Sequence, residues 1–320
     1  MVQLLERPVP QQNPISTEDR TEKKTKIKVQ NIDFSYDATT KILNNIQLEV
    51  QDGEFLVFMG PSGCGKSTLL RMMAGLEPFS NGEIEINGKS VKETHPDCGV
   101  VFQDYSLFPW LTAQANVMLA LKQRNKKMPK KELAHIAEQY LTLVHLGHAV
   151  KKYPGQMSGG MKQRAAIARA LSYGSDLLLM DEPFGALDPV TRIQLQDLLV
   201  QISAEQKRTV VFVTHDVDEA IYLADRIVIF APGKNGAVTK SIQVPIEKKG
   251  TDRQKLFENK EFRAFRESLL NEMNEQIVNS LKTEIAILRK KLNEKNQFIS
   301  ELKENNLELN EEILKAQAMN

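Results

Sequence analysis

At 320 residues, with 42 Lys and Arg against 41 Asp and Glu, the chain can bury a full core and is close to electrically neutral. That balance removes any whole-molecule argument for nucleic acid or an anionic membrane surface as the main partner, so no nucleic-acid partner is expected. Two cysteines, Cys64 and Cys98, suit a reducing, cytoplasmic compartment better than a disulfide-built secreted fold, and no apolar run reaches the ~20 residues needed to cross a bilayer.

Residues 1–25 are polar, contain Pro8, Pro10 and Pro14, lack a signal-peptide core and are expected to form a disordered tail. From residue 26 to 246 short apolar runs alternate with helical stretches, the pattern of an α/β core. "IKVQNIDFSY", "IQLEV" and the later "GEIEING" alternate in polarity and predict antiparallel strands. "FLVFMG", "CGVVFQ", "LLLMDE" and "TVVFVTH" are continuous apolar runs and predict buried strands, so a mixed sheet is expected. Residues 104–172 are expected to form a helical subdomain, with helix over Gln114 to Gly147, broken near Pro129, and over Met161 to Leu171.

Gly60, Pro61, Ser62, Gly63, Cys64, Gly65, Lys66 and Ser67 complete the pattern G-x-x-x-x-G-K-[ST] between a predicted strand and the helix "STLLRMMAGL". The glycines let backbone N–H groups converge on a phosphate, the helix N-terminus adds partial positive charge, and Lys66 can reach β and γ oxygens. These residues and Thr68 are read as an ATP-binding set, with the Ser67 hydroxyl available to Mg²⁺. The run "LLLMDEP" ends a second strand in Asp181, a candidate Mg²⁺ ligand, and Glu182, which strand alternation points elsewhere and frees to polarise an attacking water. His215 closes the next strand, where an imidazole can contact the γ-phosphate. His95, His135, His145 and His148 lack a metal-site pattern and are read as surface or packing residues.

A second glycine-rich turn, Ser158-Gly159-Gly160 in "MSGGMKQR", opens another helix and offers a hydroxyl and unobstructed N–H groups to an anion. With these motifs in this order, the stretch from Ile27 to Ile246 resembles the ATP-binding cassette (ABC) ATPases. The resemblance implies a P-loop ABC core with an antiparallel β subdomain and a helical subdomain. It also implies that the Ser-Gly-Gly signature binds the γ-phosphate held by a second copy of the chain, in a head-to-tail dimer enclosing two ATPs. By the same resemblance Tyr36 stacks on adenine, Gln103 contacts Mg²⁺ and the attacking water, and Asp188 of "GALD" belongs to the loop that couples the two sites. Taken singly, Tyr36 is equally a strand-packing residue, Gln103 a polar strand end and Asp188 a helix cap. Met157 and Met161 depart from the commonest signature, LSGGQ, but the backbone and Ser158 provide the phosphate contacts, so phosphate binding is expected to survive.

After Gln103, Tyr105, Leu107, Phe108, Trp110 and Leu111 are too many large apolar residues for a routine loop and predict a partner surface, with burial in the helical subdomain as the alternative. In the resemblance this region receives a transmembrane permease. The wording "FPWLT", "KYPGQMSGGMKQRAAIARAL" and "HDVDEAIYLADRI" is most similar to the nitrate/sulfonate/taurine/bicarbonate importers, implying uptake of a small anion at the cytoplasmic face of a membrane, fed by a solute-binding protein. An ABC exporter or a soluble, non-transport ABC ATPase would use the same chemistry.

Residues 247–270 are expected to form a partly helical linker, and residues 271–320 one long helix. With Val278, Ile285, Leu292, Ile299, Asn306 and Ile313 at heptad position a, Leu281, Leu288, Lys295, Leu302, Leu309 and Ala316 fall at d. This pattern predicts a parallel two-stranded coiled coil; a helix packed on its own domain is the alternative.

Overall fold

The computed structural model describes residues 24–36, 41–92, 97–233, 236–246 and 253–318; side chains are described for most of these up to residue 302. The expected tail (residues 1–23) and His95 lie outside them. No helix among the described residues is long and apolar enough to cross a membrane.

The strands expected to be antiparallel form a sheet apart from the parallel ones, with an isolated bridge between Leu43 and Ala237. β1 (Thr25–Ser35), β2 (Lys41–Gln51), β4 (Asn81–Ile86) and β5 (Lys89–Ser90) form a separate sheet in the order β2-β1-β4-β5. Its inward-facing residues, among them Ile27, Val29, Ile46, Val50, Ile84 and Ile86, close over one core with the helix after the phosphate loop. The second sheet has the order β10-β9-β3-β8-β7-β6. Here β3 (Phe55–Met59), β6 (Gly99–Val101), β7 (Leu177–Asp181), β8 (Thr209–Val213) and β9 (Arg226–Ala231) run parallel, and β10 (Val238–Gln243) adds an antiparallel edge. β3, β7 and β8 are buried at every position, as strands covered on both faces must be.

α1 (Lys66–Met73) packs beneath the antiparallel sheet. α2 (Ala113–Arg124), α3 (Lys130–Leu143) and α4 (Gly159–Tyr173) form the helical subdomain, with Pro129 at the N-cap of α3, where its missing N–H costs nothing. α5 (Pro189–Gln206) and α6 (Val217–Leu223) complete the cassette. The histidines His135, His145 and His148 are exposed.

The C-terminal region departs from its expected boundaries. α7 (Arg253–Glu258) is followed almost at once by α8 (Lys260–Ala318), a continuous helix that starts eleven residues before the expected position 271. Arg253 fixes this junction, bonding Gln196 and Asp197 of α5 and stacking on Tyr222 and Phe257. Phe262 and Leu269 are 1% exposed, Arg266 pairs with Asp218 of α6, and Glu272 pairs with Lys240 of β10. Packing on its own domain therefore describes the beginning of α8; from Val278 to Leu302 the a and d side chains that are apolar stand about half exposed.

Candidate functional site

Strand order brings the phosphate loop and the candidate catalytic side chains together. Because β3, β8, β7 and β6 are adjacent and parallel, their carboxyl ends deliver, in that order, the phosphate loop, His215, Asp181 with Glu182, and Gln103 to one edge. The register is tight: Val213 is level with both Phe58 and Asp181, Thr214 N–H donates to the Phe58 carbonyl, and Glu182 N–H donates to the Val213 carbonyl.

The phosphate loop is an open concavity of backbone. Gly63, at φ +82°, has nothing within 4 Å of where a Cβ would stand, which leaves room for a phosphate group. Gly60 is required for the opposite reason: a Cβ there would meet the Phe230 carbonyl oxygen at 2.1 Å, and its φ of +139° is one that only glycine adopts freely. Lys66 is buried, its ammonium donating to the carbonyls of Gly60 (2.8 Å) and Pro61 (2.6 Å). Burial lowers its pKa, opposed by the nearby carboxylates of Glu182 and Asp181. Ser62 is exposed at the mouth of the loop, whereas Cys64 is a buried free thiol whose pKa burial raises.

Ser67 Oγ donates to Asp181 Oδ1 at 2.8 Å, so a hydroxyl and a carboxylate from segments 114 residues apart meet beside the loop. Burial raises the Asp181 pKa, and the Ser67 bond pulls it back. Among the described residues no cluster of three or more His, Cys, Asp or Glu could hold a metal. One carboxylate and one hydroxyl, with remaining positions for phosphate and water, is nonetheless a donor set that suits Mg²⁺.

Beside this pair, Gln103 Nε2 donates to Glu182 Oε2 at 3.4 Å, and His215 Nδ1 lies 3.5 Å from Glu182 Oε1. Gln103 and His215 thus share the Glu182 carboxylate at the centre. Glu182 lies past the end of β7 with φ +45°, so a left-handed backbone turn, and not strand alternation, sets its direction. A glutamate in that region carries strain of order 1 kcal/mol, which the surrounding packing and the bond to Val213 offset. Tyr36 is 61% exposed, packs edge-on against Phe34 and reaches Thr68 Oγ1 at 3.1 Å, which places its free ring face beside the phosphate loop.

The signature sits in a different setting. Ser158 is the N-cap of α4, its Oγ accepting from Met161 N–H. A Cβ on Gly159 would stand 3.0 Å from the Tyr105 hydroxyl, and one on Gly160 3.0 Å from the Ala186 carbonyl oxygen. The signature, the Gly185–Asp188 loop and Tyr105 therefore pack as one unit. Asp188 caps α5 through Thr191 N–H, and that bond lowers its pKa. The helix-cap reading of Asp188 is the one this bond describes.

Two residues that sequence reasoning missed shape the loop after Gln103. Asn116, fully buried, accepts from Phe108 N–H and donates to the carbonyls of Phe108, Leu111 and Thr112. Arg169 of α4 donates to the carbonyls of Tyr105 and Ser106, both of which have positive φ. Held this way, Tyr105 and Leu107 pack on the core while Phe108 and Trp110 (70% exposed) face outward in mutual contact. A polar side chain making four backbone bonds in one turn is a structural signal that spacing alone does not carry.

Comparison with known proteins agrees with this geometry. Residues 43–185 match the family model for the ABC transporter. An ABC transporter ATP-binding protein of Methanocaldococcus jannaschii is 44% identical over 266 residues, covering 82% of this chain and 97% of that one. The bicarbonate transport ATP-binding protein CmpC of Synechococcus elongatus is 50% identical over 204 residues, or 64% of this chain, but the chain spans only 31% of that protein's length. The bicarbonate transport ATP-binding protein CmpD of a Synechocystis strain is 43% identical over 218 residues, 68% of this chain and 77% of that one. Among solved structures, the dimeric post-hydrolysis ATP-binding cassette MJ0796 with ADP and Pi is 33% identical with a TM-score of 0.64, covering 69% of this chain and all of that one. In fold, motif order and sequence, this chain belongs to the ATP-binding proteins of the ABC transporter family.

Proposed function

We propose that this chain is the ATP-hydrolysing subunit of an ABC importer that drives uptake of a small anion, of the nitrate, sulfonate, taurine or bicarbonate kind, through a separate membrane permease. The observation that carries the reading is the meeting of Gln103, Glu182 and His215 beside the Ser67–Asp181 pair at the mouth of the phosphate loop. Relatives named as bicarbonate and nitrate transport proteins, at 43–50% identity, support the cargo class.

In this reading Tyr36 stacks on the adenine, and backbone N–H groups of residues 60–68 hold the phosphates with Lys66, which exchanges its loop carbonyls for β and γ oxygens. Ser67 and Asp181, with Gln103 beside them, would hold Mg²⁺, whose charge would offset that of the phosphate oxygens. Glu182 takes a proton from water as the water oxygen bonds to the γ-phosphorus and the bond from phosphorus to the ADP oxygen breaks. His215 holds the γ-phosphate side, and the Ser158 turn of a second copy closes over it. MJ0796, solved as a dimer, supports that arrangement.

Phe108 and Trp110 form the apolar surface on which a permease segment docks. Dimer closure on ATP and reopening after hydrolysis pull that segment between two positions, so the cargo never touches this chain. The protein works at the cytoplasmic face of the membrane, bound peripherally. Gentle detergent extraction of the tagged chain, followed by mass spectrometry, is expected to recover a multi-span permease, with a solute-binding protein whose ligand identifies the anion. Recovery of a permease without any binding protein would point to export, and ribosomal or DNA-associated partners without a permease would overturn the transport reading.

A further inference from the structure

The stripe left uncovered on α8 has a geometry that specifies its occupant. Val278, Leu281, Ile285, Leu288, Leu292, Ile299 and Leu302 are each 46–58% exposed, although they form one apolar seam about 36 Å long. The only interruption at a or d within that seam is Lys295, which is exposed as well. The helix is not a loose appendage, because its first turns are sunk into the cassette through Phe262 and Leu269 and tied to α6 by Arg266 and Asp218. A helix so anchored presents its seam at a fixed direction, and an isolated helix with that much exposed apolar surface gains more by pairing than by remaining single.

We propose that α8 from about Val278 onward pairs with the same segment of a second copy of this chain, as a parallel, in-register two-stranded coiled coil that holds two cassettes together without nucleotide. Val and Ile at most a positions with Leu at d favour two strands over three or four. The flanking charges favour the parallel direction. In that arrangement position g faces the following e of the partner, which sets Glu284 against Arg289 of the partner subunit and creates no like-charged pair. In the antiparallel arrangement e faces e, and the e row carries Lys282, Arg289 and Lys303 with no acid to neutralise them. Lys295 at d and Asn306 at a penalise slipped registers, in which either would meet an apolar side chain.

Symmetry adds a consequence. A parallel coiled coil has its two-fold axis along its length, and a closed pair of cassettes has only one such axis, so the coil lies on the axis of the cassette dimer. The tether then keeps each signature turn at high effective concentration for the other copy's phosphate loop after ADP has left. The base of the coil is ion-paired to α6, which follows His215 directly, through Arg266 and Asp218, and to β10 through Glu272 and Lys240.

The pairing depends on neither the cargo nor hydrolysis, so it is tested without either. Sedimentation velocity of the full chain, free of nucleotide and at micromolar concentration, is expected to give twice the chain mass. The double variant Leu288→Lys, Leu292→Lys is expected to sediment at the single-chain mass while binding ATP as before, which shows its cassette still folded. A monomeric full chain, or a double variant that stays dimeric, overturns the proposal. Direction is read by oxidising Leu281→Cys, which cross-links to itself only in a parallel register, with the outward-facing Lys290→Cys as control. A Leu281→Cys chain that cross-links no better than Lys290→Cys overturns the parallel register.

Discussion

Glu182→Gln is expected to lower the ATP turnover number about 10²–10⁴-fold while leaving ATP affinity within about threefold. The amide keeps the shape of the carboxylate, so the contacts with Gln103 at 3.4 Å and His215 at 3.5 Å have a polar partner still. What it loses, in the role proposed for Glu182, is the ability to take a proton from water at the moment the oxygen bonds to phosphorus. Steady-state hydrolysis and nucleotide binding, measured on the same preparation, separate the two effects. A variant that turns over within tenfold of the parent would move the base to another group, with His215 the nearest candidate.

Lys66→Ala is expected to act on binding itself, weakening ATP about 10²–10³-fold, because two charge-assisted hydrogen bonds to phosphate oxygens are lost at once. The cassette should stay folded. Among the described residues the ammonium bonds the carbonyls of Gly60 and Pro61, and water can enter the space that the shortened side chain leaves. Calorimetric titration with ATP measures the loss, and a circular dichroism melt confirms the fold. An affinity within about threefold of the parent would show that the backbone N–H groups and helix α1 hold the nucleotide without the lysine.

Both predictions concern residues whose places at the site were legible in the sequence, and the reason is physical. Phosphate binding is done by short contiguous backbone, so Gly60 to Ser67 carry their own signature. The acid pair and the histidine each terminate an unmistakable apolar run, because buried parallel strands must be apolar on both faces. What was not legible depends on contacts between distant segments. Arg169 reaches the carbonyl of Ser106 across 63 residues, and nothing in "AIARAL" announces that target. The buried bonds of Asn116 are local, yet an asparagine early in a helix reads equally well as a surface residue. The direction of Glu182 follows from a positive φ that only the packed turn imposes, which strand alternation could not anticipate.

The same distinction holds for the fold. Alternating polarity marked β1, β2 and β4 as antiparallel, but their separation into a sheet of their own is a matter of tertiary pairing. β9 was not singled out, since "RIVIFA" directly follows a helix and lacks a turn signal of its own. The heptads of α8 were visible because a 3.5-residue period is a local property. The start of the helix was not, because its first fourteen residues follow the shape of the cassette instead.

In the proposed dimer each hydrolytic site combines the phosphate loop of one copy with the Ser158 turn of the other. The decisive measurement uses Lys66→Ala, which disables the loop, and Ser158→Glu, which puts a negative charge where the γ-phosphate should lie. The two chains are co-expressed with different tags and purified through both, so that every dimer is mixed. Each homodimer should be inactive, whereas a mixed dimer retains one site built from an intact loop and an intact signature and is expected to recover up to about half the parental ATPase rate. If each site were complete within a single chain, every chain in the mixed dimer would still carry a defect, and a rate no higher than that of the homodimers would contradict the account.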